Sequence, residues 1–235
     1  MRKKIEFLLL LVTIAGLCML NKKLENQVIS EEITVEENVV IVDAGHGGSD
    51  PGKVGVGEIL EKDINLQIAK KVEKLLKKKK VKVIMTREED GMIAGEESAG
   101  TKAADMKARV TLINEQTPAL AVSIHQNSYP QASVCGAQVF YYADSEEGER
   151  AAQIMQKALL SFDEDNTRQV KANDTYYLLR RTKVPTIIVE CGFLTNPEEA
   201  QKLCDETYQQ EVAKAICEGI LQYLGKDYRC KDFIS

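Results

Sequence analysis

Residues 39–52 read VVIVDAGHGGSDPG: four consecutive β-branched apolar residues, then a glycine-rich turn that holds one of only two histidines in the chain. A short, unbroken β-branched run closed by turn residues fits a strand buried on both faces. The residues that follow identify the sheet. EKDINLQIAKKVEKLLKKKK (61–80) spaces its apolar residues for one helical face, and VKVIMTR (81–87) returns to a strand pattern. The alternation continues through a helical ADMKARVTLINEQ (104–116), a strand-like ALAVSIHQN (119–127) and GAQVFYYA (136–143). A helical SEEGERAAQIMQKALLSF (145–162), a strand-like TIIVECG (186–192) and a closing helix from about Asp205 to Leu224 complete it. Such alternation predicts a single three-layer α/β domain, a mostly parallel twisted sheet of about six strands with helices on both faces. Residues 88–102 and 163–175 are unperiodic and read as loops. The lysines at 77–80 read as a solvated helix end, where cations suit the helix dipole.

Outside this core the chain changes character. Arg2, Lys3 and Lys4 precede an apolar run from Phe7 to Leu20, followed by Asn21, Lys22 and Lys23. The pattern predicts a signal anchor over residues 1–23 in preference to a cleaved signal peptide, because no small-x-small site closes the run. Residues 24–38 read as a linker, 39–228 as the catalytic domain and 229–235 as a tail. The anchor implies a domain outside the cytoplasm, membrane-anchored or secreted.

Composition narrows the functional class. The 235 residues carry 31 basic and 36 acidic side chains, a formal charge of −5, which argues against nucleic acid as a partner. Six cysteines occur without a C-x-x-C pair, so thiolate zinc and redox motifs are not supported; a disulfide among Cys204, Cys217 and Cys230 stays open.

Each histidine directly follows a β-like run, His46 after VVIVDAG and His125 after ALAVSI, and Glu190 follows TIIV in the same way. Carboxyl ends of parallel strands share one edge, where ligands bind, so these residues are expected to converge. A catalytic zinc takes three protein ligands drawn from histidine and carboxylate. Asp43, Asp50, Glu58, Glu61, Asp63 and Glu190 are all candidates for the third. The bland reading of Glu61 and Asp63 is an acidic first helical turn.

The segments DAGHGGSDPG (43–52), GEILEKDINLQIA (57–69), SIHQNS (123–128) and IIVECGFLTNPEE (187–199) resemble those of the zinc-dependent N-acetylmuramoyl-L-alanine amidases, over about residues 39–224. The resemblance implies one Zn²⁺ held by His46, Glu61 and His125, and Glu190 as the catalytic carboxylate that takes a proton from water and returns it to the departing amine. It implies peptidoglycan as substrate, cut at the amide between N-acetylmuramic acid and L-alanine. Arg87, Arg109 and Asn114 stand where such proteins carry polar supports, and Asn127 is a candidate to orient His125 or a substrate carbonyl. Tyr141, Tyr142, Phe193 and Leu194 read as packing residues.

Three rivals are weaker. G-x-x-x-x-G-K at 47–53 lacks the following Ser or Thr, contains Pro51 and Asp50, and opens no helix, so it fails as a phosphate loop. A zinc-holding wall-binding module would not need Glu190. A zinc carboxypeptidase acting on stem peptides shares the metal chemistry and differs in its product. With no separate wall-binding module read in the sequence, localisation is expected to depend on the anchor, on an accessory protein or on substrate near the membrane. The layout resembles the germination-specific amidases of spore formers, which implies spore cortex as substrate, muramic-δ-lactam formation after cleavage, and a place between forespore and mother-cell membranes. The alternative is a vegetative amidase for cell separation or wall turnover.

Overall fold

The computed structural model describes residues 36–94 and 101–226. The expected segment 1–23 lies outside them, as do most of the linker and the tail. Among the described residues no helix is long and apolar enough to cross a membrane.

Six strands form one sheet: β1 (Glu36–Ala44), β2 (Lys82–Met85), β3 (Pro118–Asn127), β4 (Gln138–Tyr142), β5 (Lys171–Asn173) and β6 (Thr186–Phe193). The order is β2-β1-β3-β6-β4-β5. β2, β1, β3 and β6 are mutually parallel, whereas β4 runs antiparallel to β6 and carries β5 parallel to itself. β1 begins at Glu36, so strand pairing reaches into the last residues read as linker. β5 corrects the reading of residues 163–175 as wholly loop. Its three residues pair with Phe140, Tyr141 and Tyr142, too short a run to show a two-residue period.

The helices are α1 (Glu61–Lys78), α2 (Lys102–Gln116), α3 (Glu146–Phe162), α4 (Tyr177–Arg181), α5 (Pro197–Cys204) and α6 (Glu206–Tyr223). α4 and α5 had no periodic signal because each spans only one or two turns. Side-chain oxygens close the first turns: Thr101 accepts from the Ala104 amide, Ser145 from Gly148, and Asn196 from Glu198 and Glu199 with Pro197 next in line.

The period of two sorts each central strand onto two faces. Val40, Val42, Leu120, Val122, Ile187 and Val189 meet the apolar stripes of α1, α3 and α6. Ile41, Ala121 and Ile188 face the other way, against α2 and α4. That second face has fewer helices over it. By the same alternation it receives Asp43, Ser123, His125 and Glu190, the polar residues of these strands. Phe193 and Leu194 are buried as expected. Cys191 and Cys217 are buried free thiols, and Cys135 and Cys204 are exposed ones.

Candidate metal centre and catalytic cavity

The turn after β1 carries His46 with φ +62°, a left-handed backbone that β-carbon residues seldom adopt. Its neighbours hold it there. Arg87 Nε and Arg109 Nη1 donate to the Ala44 carbonyl, Arg87 Nη2 and Asn65 Nδ2 to the Gly45 carbonyl, and Arg109 Nη2 to the His46 carbonyl at 2.6 Å. Three consecutive carbonyls are thus bound by side chains from β2's end, α1 and α2. Arg109 is itself 1% exposed and paired with Asp43 and Asp105.

Glu61 opens α1 without a side-chain cap. The Glu61 and Lys62 amides instead donate to the carbonyls of Lys53 and Pro51, which draws residues 51–53 of the loop after β1 over the helix start. Gly52 lies in this contact with φ +70°, and a β-carbon there would stand 2.5 Å from Glu61 Oε2 and 2.7 Å from the His46 ring. Gly45 is equally constrained, since a β-carbon would meet the His125 ring at 2.3 Å.

His46 and His125 come together as the strand-end reading expects, and Glu61, singled out by the family resemblance, lies between them. Their donor atoms all lie within 4.8 Å of one another. His46 Nε2 is 3.2 Å and His125 Nδ1 2.9 Å from Glu61 Oε1, and the two rings meet edge-on at 5.0 Å. His46 Nδ1 lies 2.7 Å from Asp50 Oδ2, a contact that fixes the ring's orientation. Glu61 is 2% exposed; burial opposes its charge, but hydrogen bonds from His125 and His46 hold its carboxyl far below the usual range. Burial lowers the His125 pKa, yet the Glu61 carboxylate reverses the balance and raises it. Two imidazoles and one carboxylate this close form a donor set that could hold a metal ion, and the set suits zinc.

Glu190 lies inside β6, not beyond it, directly paired with His125 of β3. Register puts both on the face under α2 and α4. Burial pushes the Glu190 carboxyl up to about 7, although His125 pulls the other way. Its Oε2 is buried without a hydrogen-bond partner among the described residues. These side chains line a cavity of about 440 Å³, within the range of small-ligand sites, with Lys53, Lys102, Asn127 and Tyr176 around them.

The other expected residues separate. Arg109 lines the cavity and supports the His46 turn; Arg87 supports the turn without lining the cavity. Asn127 lines the cavity while its Oδ1 accepts from the Ser128 amide. Asn114 is remote, tying α2 to Arg181 and Lys183. Asp50 serves His46, and Asp43 serves Arg109, so neither joins the triad. The described part of the 88–102 stretch is pinned: Asp90 accepts from Lys62 and from the Gly48 amide, and Asp105 from the Ile93 amide. Sequence reasoning missed Asn65, although its position four residues after Glu61 puts both on one helix face.

The sequence model of a family described as N-acetylmuramoyl-L-alanine amidase matches residues 40–222. The chain is similar to the germination-specific N-acetylmuramoyl-L-alanine amidase of Bacillus subtilis (strain 168), 42% identical over 188 residues that cover 79% of each chain. Its fold is similar to that of the CwlD amidase from Clostridioides difficile, solved in complex with the GerS lipoprotein. That likeness has a TM-score of 0.77 and 39% identity, covering 81% of this chain and 100% of that one. It is also similar to the catalytic domain of CwlV, an N-acetylmuramoyl-L-alanine amidase from Bacillus (Paenibacillus) polymyxa var. colistinus. There the TM-score is 0.72 and the identity 31%, covering 81% of this chain and 99% of that one.

Proposed function

This chain belongs to the N-acetylmuramoyl-L-alanine amidase family, and from that premise we propose that His46, Glu61 and His125 hold one Zn²⁺ and that Glu190 is the catalytic acid–base. It is an N-acetylmuramoyl-L-alanine amidase acting on peptidoglycan, outside the cytoplasm. The observation that carries the site assignment is the convergence of three donor atoms within 4.8 Å beside a buried carboxylate whose Oε2 has no partner among the described residues. When bound, the ion supplies a Lewis acid that polarises the amide carbonyl and eases ionisation of water.

The protein's own groups do the rest. Glu190 takes a proton from water and delivers it to the alanine nitrogen as the carbon–nitrogen bond breaks; a carboxyl raised to about 7 is well matched to both transfers. Glu61 holds its charge between two imidazoles and keeps their rings converged. Asp50 fixes the ring of His46. Glu190→Gln is predicted to retain about one zinc per chain and lose turnover by several orders of magnitude, checked by metal analysis beside release of L-alanine amine from a muropeptide. Loss of zinc in that variant would reassign Glu190 to the metal set.

The finer substrate is spore cortex. Support comes from the identity with a germination-specific relative. On this reading the released muramic acid goes on to muramic-δ-lactam, residues 1–23 anchor the domain beside the membrane, and an accessory protein supplies wall localisation; support for a protein partner is that the similar C. difficile amidase was solved in complex with the GerS lipoprotein. Cortex muropeptides from a strain lacking this chain are predicted to contain no muramic-δ-lactam. An unchanged lactam content would favour a vegetative wall role.

A further inference from the structure

Tyr176 stands immediately before α4 and lines the cavity together with His125, Glu61 and Glu190. Its ring is fixed on one side by Phe140 of β4, edge to face at 5.5 Å. Its backbone is fixed as well: its amide donates to Asn173 Oδ1 at 2.8 Å and its carbonyl accepts from the Arg180 amide. Phe140 pairs across the sheet with Ile188, two residues before Glu190, so the ring is seated on the same sheet face as the catalytic carboxylate. The hydroxyl makes no hydrogen bond among the described residues, although the ring that carries it is half-buried and immobilised. Tyr177, the next residue, is exposed and lies beneath the Arg181 guanidinium, a surface arrangement.

A held phenol with a free O–H at the wall of a catalytic cavity is a preorganised donor. We infer that Tyr176 is a further catalytic residue, its hydroxyl donating a hydrogen bond to the carbonyl oxygen of the scissile amide as negative charge gathers there. Burial, reinforced by the charges of Glu190 and Glu61, raises its pKa to about 12, so the group stays a donor throughout the working pH range. No electrons move through it. Water oxygen adds to the carbonyl carbon, the carbon–nitrogen bond breaks, and Glu190 carries one water proton to the amine, while Tyr176 keeps its own.

The inference rests on the site reading above, and its test separates the two. Tyr176→Phe keeps the ring and its seat on Phe140 and removes only the hydroxyl. In the full-length, zinc-loaded chain acting on muramyl dipeptide, the variant is predicted to lose roughly 100-fold in kcat with KM changed by less than about twofold. Zinc stoichiometry and melting temperature stay at the wild-type values. An unchanged kcat, a loss confined to KM, or a fall in bound zinc that accounts for the lost activity would each overturn the role while leaving the amidase reading intact. If the zinc-loaded wild-type chain itself releases no L-alanine amine, the site reading falls and the inference with it.

Discussion

Glu61 accepts hydrogen bonds on both carboxylate oxygens, from the Gln126 amide, Asn65 Nδ2 and His125 Nδ1 on Oε1 and from the Lys53 amide on Oε2. Asn65 reaches Glu61 at 3.4 Å and the Gly45 carbonyl at 3.1 Å, and Gln126 Nε2 holds Asn65 Oδ1 at 3.1 Å. Asn65 therefore aims one proposed ligand, Glu61, and braces the turn that bears another, His46. Asn65→Ala is predicted to weaken zinc binding by roughly 10–100-fold, the usual effect of removing such a support. Competition with a chromophoric chelator measures it, and an unchanged affinity would refute the role. At this scale the sequence was partly legible. The histidines stood out through scarcity and strand-end placement, whereas Glu61 looked like any acidic first turn and owed its assignment to family resemblance. Glu190 is inside its strand, and its partnership with His125 depends on inter-strand register, which no local pattern encodes.

β1, β3 and α2 meet at a buried charge cluster. Asp43 accepts from Arg109 and Ser123, and Arg109 also pairs with Asp105 one helical turn away. Burial would raise the Asp43 carboxyl, but the guanidinium and the hydroxyl hold it below its ordinary value. A depressed carboxylate contributes stability that is present above its unfolded pKa of about 3.9 and lost as pH falls through the lower folded value. Asp43→Asn is predicted to cost about 3–5 kcal/mol at pH 7, since it leaves a buried guanidinium short of a partner. The gap from wild type narrows below about pH 4, where the carboxyl of the unfolded chain takes up a proton while the native one stays ionised. Urea unfolding at pH 7 and pH 3 checks this; a gap independent of pH would contradict it. The elements themselves were legible where they were long. α1, α3 and α6 carry clear apolar stripes and the central strands clear β-branched runs, while β5, α4 and α5 are too short for either period. The reversal of β4 depends on how its flanking connections cross the sheet.

Across the whole domain the two sheet faces are unequally covered, α1, α3 and α6 on one and α2 and α4 on the other, and the cavity opens on the second. The α/β class and the layering followed from the alternation of periods alone. The choice of face for Glu190, the proposed catalytic carboxylate, did not. Because the triad joins the turn after β1, the start of α1 and the end of β3, zinc is expected to tie three separate segments, and the folded domain should gain about 2.7 kcal/mol at a free zinc concentration 100 times Kd. The most direct test is to strip the chain with a chelator and follow hydrolysis of a muropeptide while zinc is returned stepwise. The predicted result is no release of L-alanine amine at the start, then activity that rises with added zinc and levels at one equivalent per chain. Full activity in the stripped chain before any zinc is added would contradict the account.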